Sequence, residues 1–139
     1  MNKFVKTMLL SLVIIILIGV VAAVVVLNVL DKRDKDEEQS IDEIVEYSYQ
    51  TPEITTDLSD GSFVRIQFQI ITDGKDAKEE IAKRDFQVRN ILIKELATMD
   101  EEAFKSGLSE VEDILKLELN KVMTEGSIQE VYTINKILQ

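Results

Sequence analysis

The stretch "TTDLSDGSFVRIQFQIIT" (Thr55–Thr72) alternates apolar and polar residues downstream of an Asp60-Gly61 pair. Asp-Gly is a tight-turn dipeptide, and successive side chains of a strand point to opposite faces. Val64, Ile66, Phe68 and Ile70 therefore face one way, and Arg65, Gln67 and Gln69 the other. The sequence predicts two strands, a short one over Glu53–Leu58 and a longer one over Phe63–Thr72. One face of the pair is core. The other is solvated, as in most one-sided antiparallel sheets, or serves as a contact surface.

Past a second turn signal, Asp73-Gly74, the residues Asp76–Thr98 read as one long helix. Ile81, Val88, Leu92, Leu96 and Met99 recur on a single stripe, which Phe86 and Ile93 widen. Glu79 stands four residues ahead of Lys83, Glu80 ahead of Arg84 and Asp85 ahead of Arg89, an order that supports a helix without any catalytic role. A second helix, about Ser109–Glu125, carries Val111, Ile114, Leu115, Leu119 and Val122 on one face. Ser109 with Glu112 forms a possible capping box at its start, and Gly126 closes it. Ile128–Leu138, rich in β-branched residues and holding Tyr132, reads as a last strand. The fold class is α+β, in the order strand, strand, helix, helix, strand over residues 51–139.

Upstream of this domain the composition changes. Met8–Leu30 runs without a charge. As a helix it would be roughly 34 Å long, enough for a hydrocarbon core of about 30 Å. Lipid offers no partners to backbone polar groups, so a single span of this kind must be helical despite its many Ile and Val residues. The apolar run continues well past the Val21-Ala22-Ala23 that could mimic a cleavage site, and a cleaved leader has an apolar core of only about 7–15 residues. Residues 8–30 are therefore predicted to be a retained transmembrane helix, preceded by a short tail (1–7) and followed by a charged stalk (31–50). Within the stalk Ser40 and Glu43 form a capping box ahead of Ile41, Ile44 and Val45, which predicts a short helix. Lys3 and Lys6 on one side nearly balance Lys32, Arg33 and Lys35 on the other. The short basic tail is hard to translocate, which favours an inside amino terminus.

Residues 31–139 hold 26 acidic against 14 basic residues, a formal −12. Such a domain lacks the basic footprint that nucleic acid requires and is repelled by anionic lipid. The chain has no histidine and no cysteine, which removes the usual general base, the thiol nucleophile and the soft metal ligands. Asp31, Asp34 and Asp36 lack the glycine and closing glutamate of a calcium loop. Asp100, Glu101 and Glu102 cluster between the helices, where they are expected to cap and solvate a loop. No catalytic, cofactor-binding or metal-binding residue is expected, no cofactor is implied, and the chain does not read as an enzyme.

Four segments in order, "SIDEIV", "EITTDLSDGSFVRIQFQI", "RDFQVRNILIKEL" and "LNKVMTEGSIQEVYTINKILQ", resemble the flagellar basal body-associated protein FliL family. The family pattern of one spanning helix, a variable stalk, a threonine-rich acidic turn and a terminal Val-Tyr strand is met by Thr55-Thr56-Asp57-Leu58, Val131-Tyr132-Thr133 and Gln139. Asp57 stands where many relatives carry Asn, and both suit entry to a turn. The resemblance implies an extracytoplasmic domain similar to the stomatin and prohibitin (SPFH) core, on a single-pass anchor in the cytoplasmic membrane at the flagellar basal body. It also implies a homo-oligomer around the stator that supports torque, swimming or swarming. The alternatives are a stomatin-like scaffold acting on another channel or membrane complex, and an anchored secretion-apparatus subunit.

Overall fold

A computed structural model describes residues 2–33 and 39–139. The chain divides into two compact units, Met1–Glu38 and Gln39–Gln139. In the first, helix α1 spans Lys3–Arg33, beyond the predicted Met8–Leu30 at both ends. Its large apolar side chains from Phe4 to Val29 are all exposed, which is the surface a lipid-facing helix presents. Asp34 and Asp36 of the predicted stalk lie outside the described residues.

The second unit begins with α2 (Ile41–Glu46), and the predicted capping box is formed: Ser40 Oγ accepts from Glu43 N–H while Glu43 accepts from Ser40 N–H. Next come β1 (Ser48–Gln50), β2 (Ile54–Asp57) and β3 (Phe63–Thr72). The helices α3 (Lys75–Lys83), α4 (Asp85–Leu96), α5 (Glu101–Ser106) and α6 (Leu108–Val122) precede β4 (Ile128–Leu138).

The sheet is antiparallel with β3 at its centre. β1 pairs with the second half of β3 (Tyr49↔Ile70) and β2 with the first half (Thr55↔Arg65), so the two form one edge strand broken at Thr51-Pro52-Glu53. Proline has no N–H to give a ladder, which suits a break on an edge. Thr51 repairs the break, donating its N–H to Phe68 O and accepting Phe68 N–H on Oγ1. The short strand β1 escaped the sequence, because "SYQ" has no period of its own and is strand only through its pairing with β3. β4 lies along the other edge, with a bulge where Thr133↔Phe68 and Asn135↔Gln67 leave Ile134 as the extra residue.

The helices cover one face of the sheet. Val64, Ile66, Phe68 and Ile70 are buried as predicted, packed with Ile81, Val88, Leu92, Leu96, Phe104, Val111, Leu115 and Leu119. The single helix expected over Asp76–Thr98 is broken at Arg84 (φ −90°, ψ 14°) into α3 and α4. Neither glycine nor proline marks the break. It coincides with a side-chain network: the Arg84 guanidinium binds Glu80 and Gln87, each at 2.8 Å. Of the three predicted ion pairs, Glu80–Arg84 and Asp85–Arg89 form, and Glu79–Lys83 does not.

The second predicted helix also changes at both ends. α6 starts at Leu108 with Gly107, which has no side chain to offer, at its N-cap, so Ser109 lies inside the helix and the expected box does not form; Glu112 accepts from the Thr133 N–H at 2.8 Å. It ends at Val122, and Gly126 lies beyond it, in the turn into β4, at φ 108°. The loop expected around Asp100–Glu102 is instead the start of α5, with Asp100 as its N-cap accepting from Ala103 N–H at 2.8 Å.

Candidate functional site

The face of the sheet away from the helices is where the sequence leaves either solvent or a partner. Gln67 and Gln69 point there as predicted, yet both serve the domain itself. Gln67 Nε2 donates to Thr51 O at 2.8 Å, and Gln69 Nε2 donates to Ser48 Oγ. They stitch β3 to the broken edge strand. Arg65 is freer, 45% exposed and 3.9 Å from Glu53, a separation at which an exposed pair contributes little. Beside these polar residues runs an apolar margin. Tyr132 sits opposite Gln69 and Ile137 opposite Arg65, and with Phe63 they remain exposed. Alternation identified β4 as a strand; only the position of the helix layer shows which of its side chains stay uncovered.

A second exposed apolar set lies on the helices: Phe86 and Ile93 on α4 and Leu117 on α6. Phe86 and Ile93 were expected to widen the core stripe. The core is filled without them, by Val88, Leu92 and Leu96.

The acidic residues that could have carried chemistry act as structural ties. Glu80, with a side chain only 10% exposed, accepts from the backbone N–H groups of Thr124 and Glu125 as well as from Arg84. Its partial burial disfavours the charged form, but the Glu125 N–H, the guanidinium and the Thr124 donors outweigh it and hold the carboxyl at about 2. Asp60 binds the N–H groups of Ser62 and Glu101, which lower its acidity range, and Ser62 Oγ donates to Glu101 at 2.7 Å. Within the cluster Asp100-Glu101-Glu102 it is Glu101 that docks α5 on the hairpin turn, while Asp100 caps the helix. Asn120 takes both backbone groups of Ile128, accepting its N–H at 2.7 Å and donating to its carbonyl at 3.0 Å. The Tyr49 hydroxyl, raised to about 12 by burial and by its bond to Asp85, links β1 to the start of α4. These ties between distant segments were invisible in the sequence, where Glu80 and Asp85 read as helix-face charges, Asp60 as a turn residue and Glu101 as part of a loop.

The described residues therefore offer surfaces and a rigid framework: ordered carboxylates bound to backbone amides, and two uncovered apolar sets. The region from β1 to the last residue, 48–139, matches the family of flagellar basal body-associated protein FliL. The chain belongs to that family. Flagellar protein FliL of Bacillus subtilis (strain 168) is 36% identical over 111 residues, covering 78% of this chain and 79% of the relative. Three of the four segments that carried the resemblance fall inside the matched region, on β2–β3, on α4 and on the passage from α6 into β4. The protein is thus a flagellar basal body-associated one, from a family of flagellar accessory proteins rather than of known enzymes. Its apolar amino-terminal helix is consistent with membrane anchoring.

Proposed function

We propose that the protein is a structural component of the flagellar motor: a single-pass anchor with its amino terminus inside, and an extracytoplasmic, SPFH-like domain that oligomerises around the stator and supports torque in swimming or swarming. The observation that carries this is that a chain of this family joins a helix exposing a long uncharged apolar run to a domain in which Glu80, Asp60 and Glu101 are tied to other segments while apolar side chains stay uncovered on two faces. Such a domain works by being held and by holding. Anchoring in a membrane raises the local concentration of copies toward the millimolar range, so weak lateral contacts suffice. Strong net charge opposes assembly, but screening over about 8 Å at physiological salt confines repulsion to close approach.

The absence of cysteine makes the test clean. Arg65→Cys and Tyr132→Cys, together with a scan of exposed helix positions, are cross-linked in membranes of motile cells. Multimers of the chain from at least some positions are expected, together with cross-links to stator subunits and loss or weakening of motility when the gene is deleted. Monomer alone across the whole scan, with motility intact, would falsify the proposal.

A further inference from the structure

We propose that the carboxyl-terminal half of β4 is a docking edge for an extended segment of another polypeptide, which adds a strand to the sheet. The proposal goes beyond the assembly of copies described above and does not depend on it. Phe63 and Gln139 exchange both backbone hydrogen bonds, at 2.9 and 2.8 Å. In an antiparallel ladder such pairs alternate with pairs that exchange none, so Arg65↔Ile137 and Gln67↔Asn135 are bonded while Val64↔Leu138 and Ile66↔Lys136 are not. The N–H and C=O groups of Lys136 and Leu138 therefore point away from β3, and they have no hydrogen-bond partner among the described residues. Ile134, Lys136 and Ile137 are exposed along this stretch.

Other parts of the sheet margin are guarded. The opposite edge is interrupted at Pro52. In the first half of β4, α6 supplies partners: Asn120 takes both backbone groups of Ile128, and Glu112 takes the N–H of Thr133. Beyond the bulge at Ile134, no described side chain does the same. A lysine often obstructs such an edge, but Lys136 Nζ is turned over the Phe104 ring on the helix side, 5.9 Å from its centroid. Amides and carbonyls that point outward from a strand are matched by another extended backbone, the chemistry of strand addition. Charge then selects the occupant. A second copy would bring the same formal −10 to a contact made of a few backbone hydrogen bonds, whereas a segment without net negative charge meets no such repulsion. The exposed Ile134 and Ile137 favour β-branched or aromatic side chains on that segment.

The test selects short peptides from a random display library on the full-length chain in detergent and remakes the binders synthetically. Binders are expected to be rich in Val, Ile, Thr and Tyr, to carry no net negative charge, and to slow amide hydrogen exchange at Lys136 and Leu138. Methylating every second amide nitrogen of a binder, in each of the two registers in turn, should abolish binding in one register and spare it in the other, because only one edge of the added strand faces β4. Lys136→Pro removes an outward donor and no bond to β3, and should weaken binding about five- to tenfold at an unchanged unfolding midpoint. If that variant unfolds earlier, the methylated peptides on the unaltered chain decide alone. Absence of any binder, binding indifferent to methylation register, or protection away from Lys136 and Leu138 would overturn the proposal. Enrichment of acidic peptides, or self-association of the chain that Lys136→Pro abolishes, would overturn the choice of occupant.

Discussion

Glu80 shows how a single carboxylate substitutes for covalent linkage. Three elements meet on it: α3, which carries it, Arg84 at the helix break, and the Thr124-Glu125 backbone that leads into β4. Glu80→Gln keeps the shape but loses charge-assisted bonds, and is expected to destabilise the protein by about 1–3 kcal/mol. The sign of the pH dependence follows. The carboxyl is held at about 2 in the folded chain against an ordinary value of 4.5, so its contribution is complete above 4.5 and fades as pH falls toward 2. Thermal unfolding of the full chain in detergent should show the difference between wild type and Glu80→Gln shrinking over that window; a constant difference would contradict the assignment. Gly126 offers a second residue-scale test. Its φ of 108° is strained for any side chain, and a Cβ there would strike the Asp73 carboxylate. Gly126→Ala should cost more than about 1 kcal/mol. Gly74→Ala, in extended backbone with open space around it, should be tolerated; equal midpoints for the two variants would refute this.

Among the elements, β3 carries most of the architecture, because every other strand pairs with it. Its two faces experience different environments. Phe68 is fully buried and Phe63 is 56% exposed. Phe68→Ala is expected to lose about 3–5 kcal/mol through transfer and cavity terms, whereas Phe63→Ala should stay within about 0.5 kcal/mol. Denaturant midpoints of the two variants at unchanged slope would check this, and similar losses would mean that the open face is covered. The break between α3 and α4 is an element-scale feature of another kind. Ala77, Ile81, Val88, Leu92 and Leu96 all remain buried across it, so the bend preserves one continuous apolar stripe against the sheet.

At the scale of the whole molecule, the compact unit runs from Gln39 to Gln139, so α2 and β1 lie in the same unit as the hairpin. Thr72, fully buried at the end of β3, donates its N–H to Tyr47 O at 3.2 Å, and its hydroxyl reaches the same carbonyl. Cutting at residue 51 removes β1 and Tyr47, which leaves the Thr72 N–H without its partner while the hydroxyl keeps Gly74 O at 2.9 Å, and a buried unsatisfied group costs about 1–3 kcal/mol. A fragment of residues 39–139 is therefore expected to unfold cooperatively, and one of residues 51–139 to melt lower or to lose cooperativity. Circular dichroism of the two on heating is the measurement, and equal midpoints would show that β1 is dispensable.

Local pattern alone determined the long apolar amino-terminal helix, the Asp60-Gly61 turn, the buried set Val64, Ile66, Phe68 and Ile70, the Ser40–Glu43 box and the final strand. Each is written in a period or a dipeptide whose physics acts within a few residues. The same holds for the family likeness, carried by contiguous segments. Tertiary structure decided the rest. It made a strand of Ser48–Gln50, bent Asp76–Thr98 at Arg84, drew Glu112 from a helix cap to the bulge in β4, and bound Glu80 and Asn120 to distant backbone. It also set which apolar residues stay uncovered, Tyr132 and Ile137 on the sheet, and Phe86, Ile93 and Leu117 on the helices. A carboxylate takes the best donors within reach in space, and a side chain is buried only if another layer arrives to cover it. Neither condition is written in the spacing of neighbouring residues.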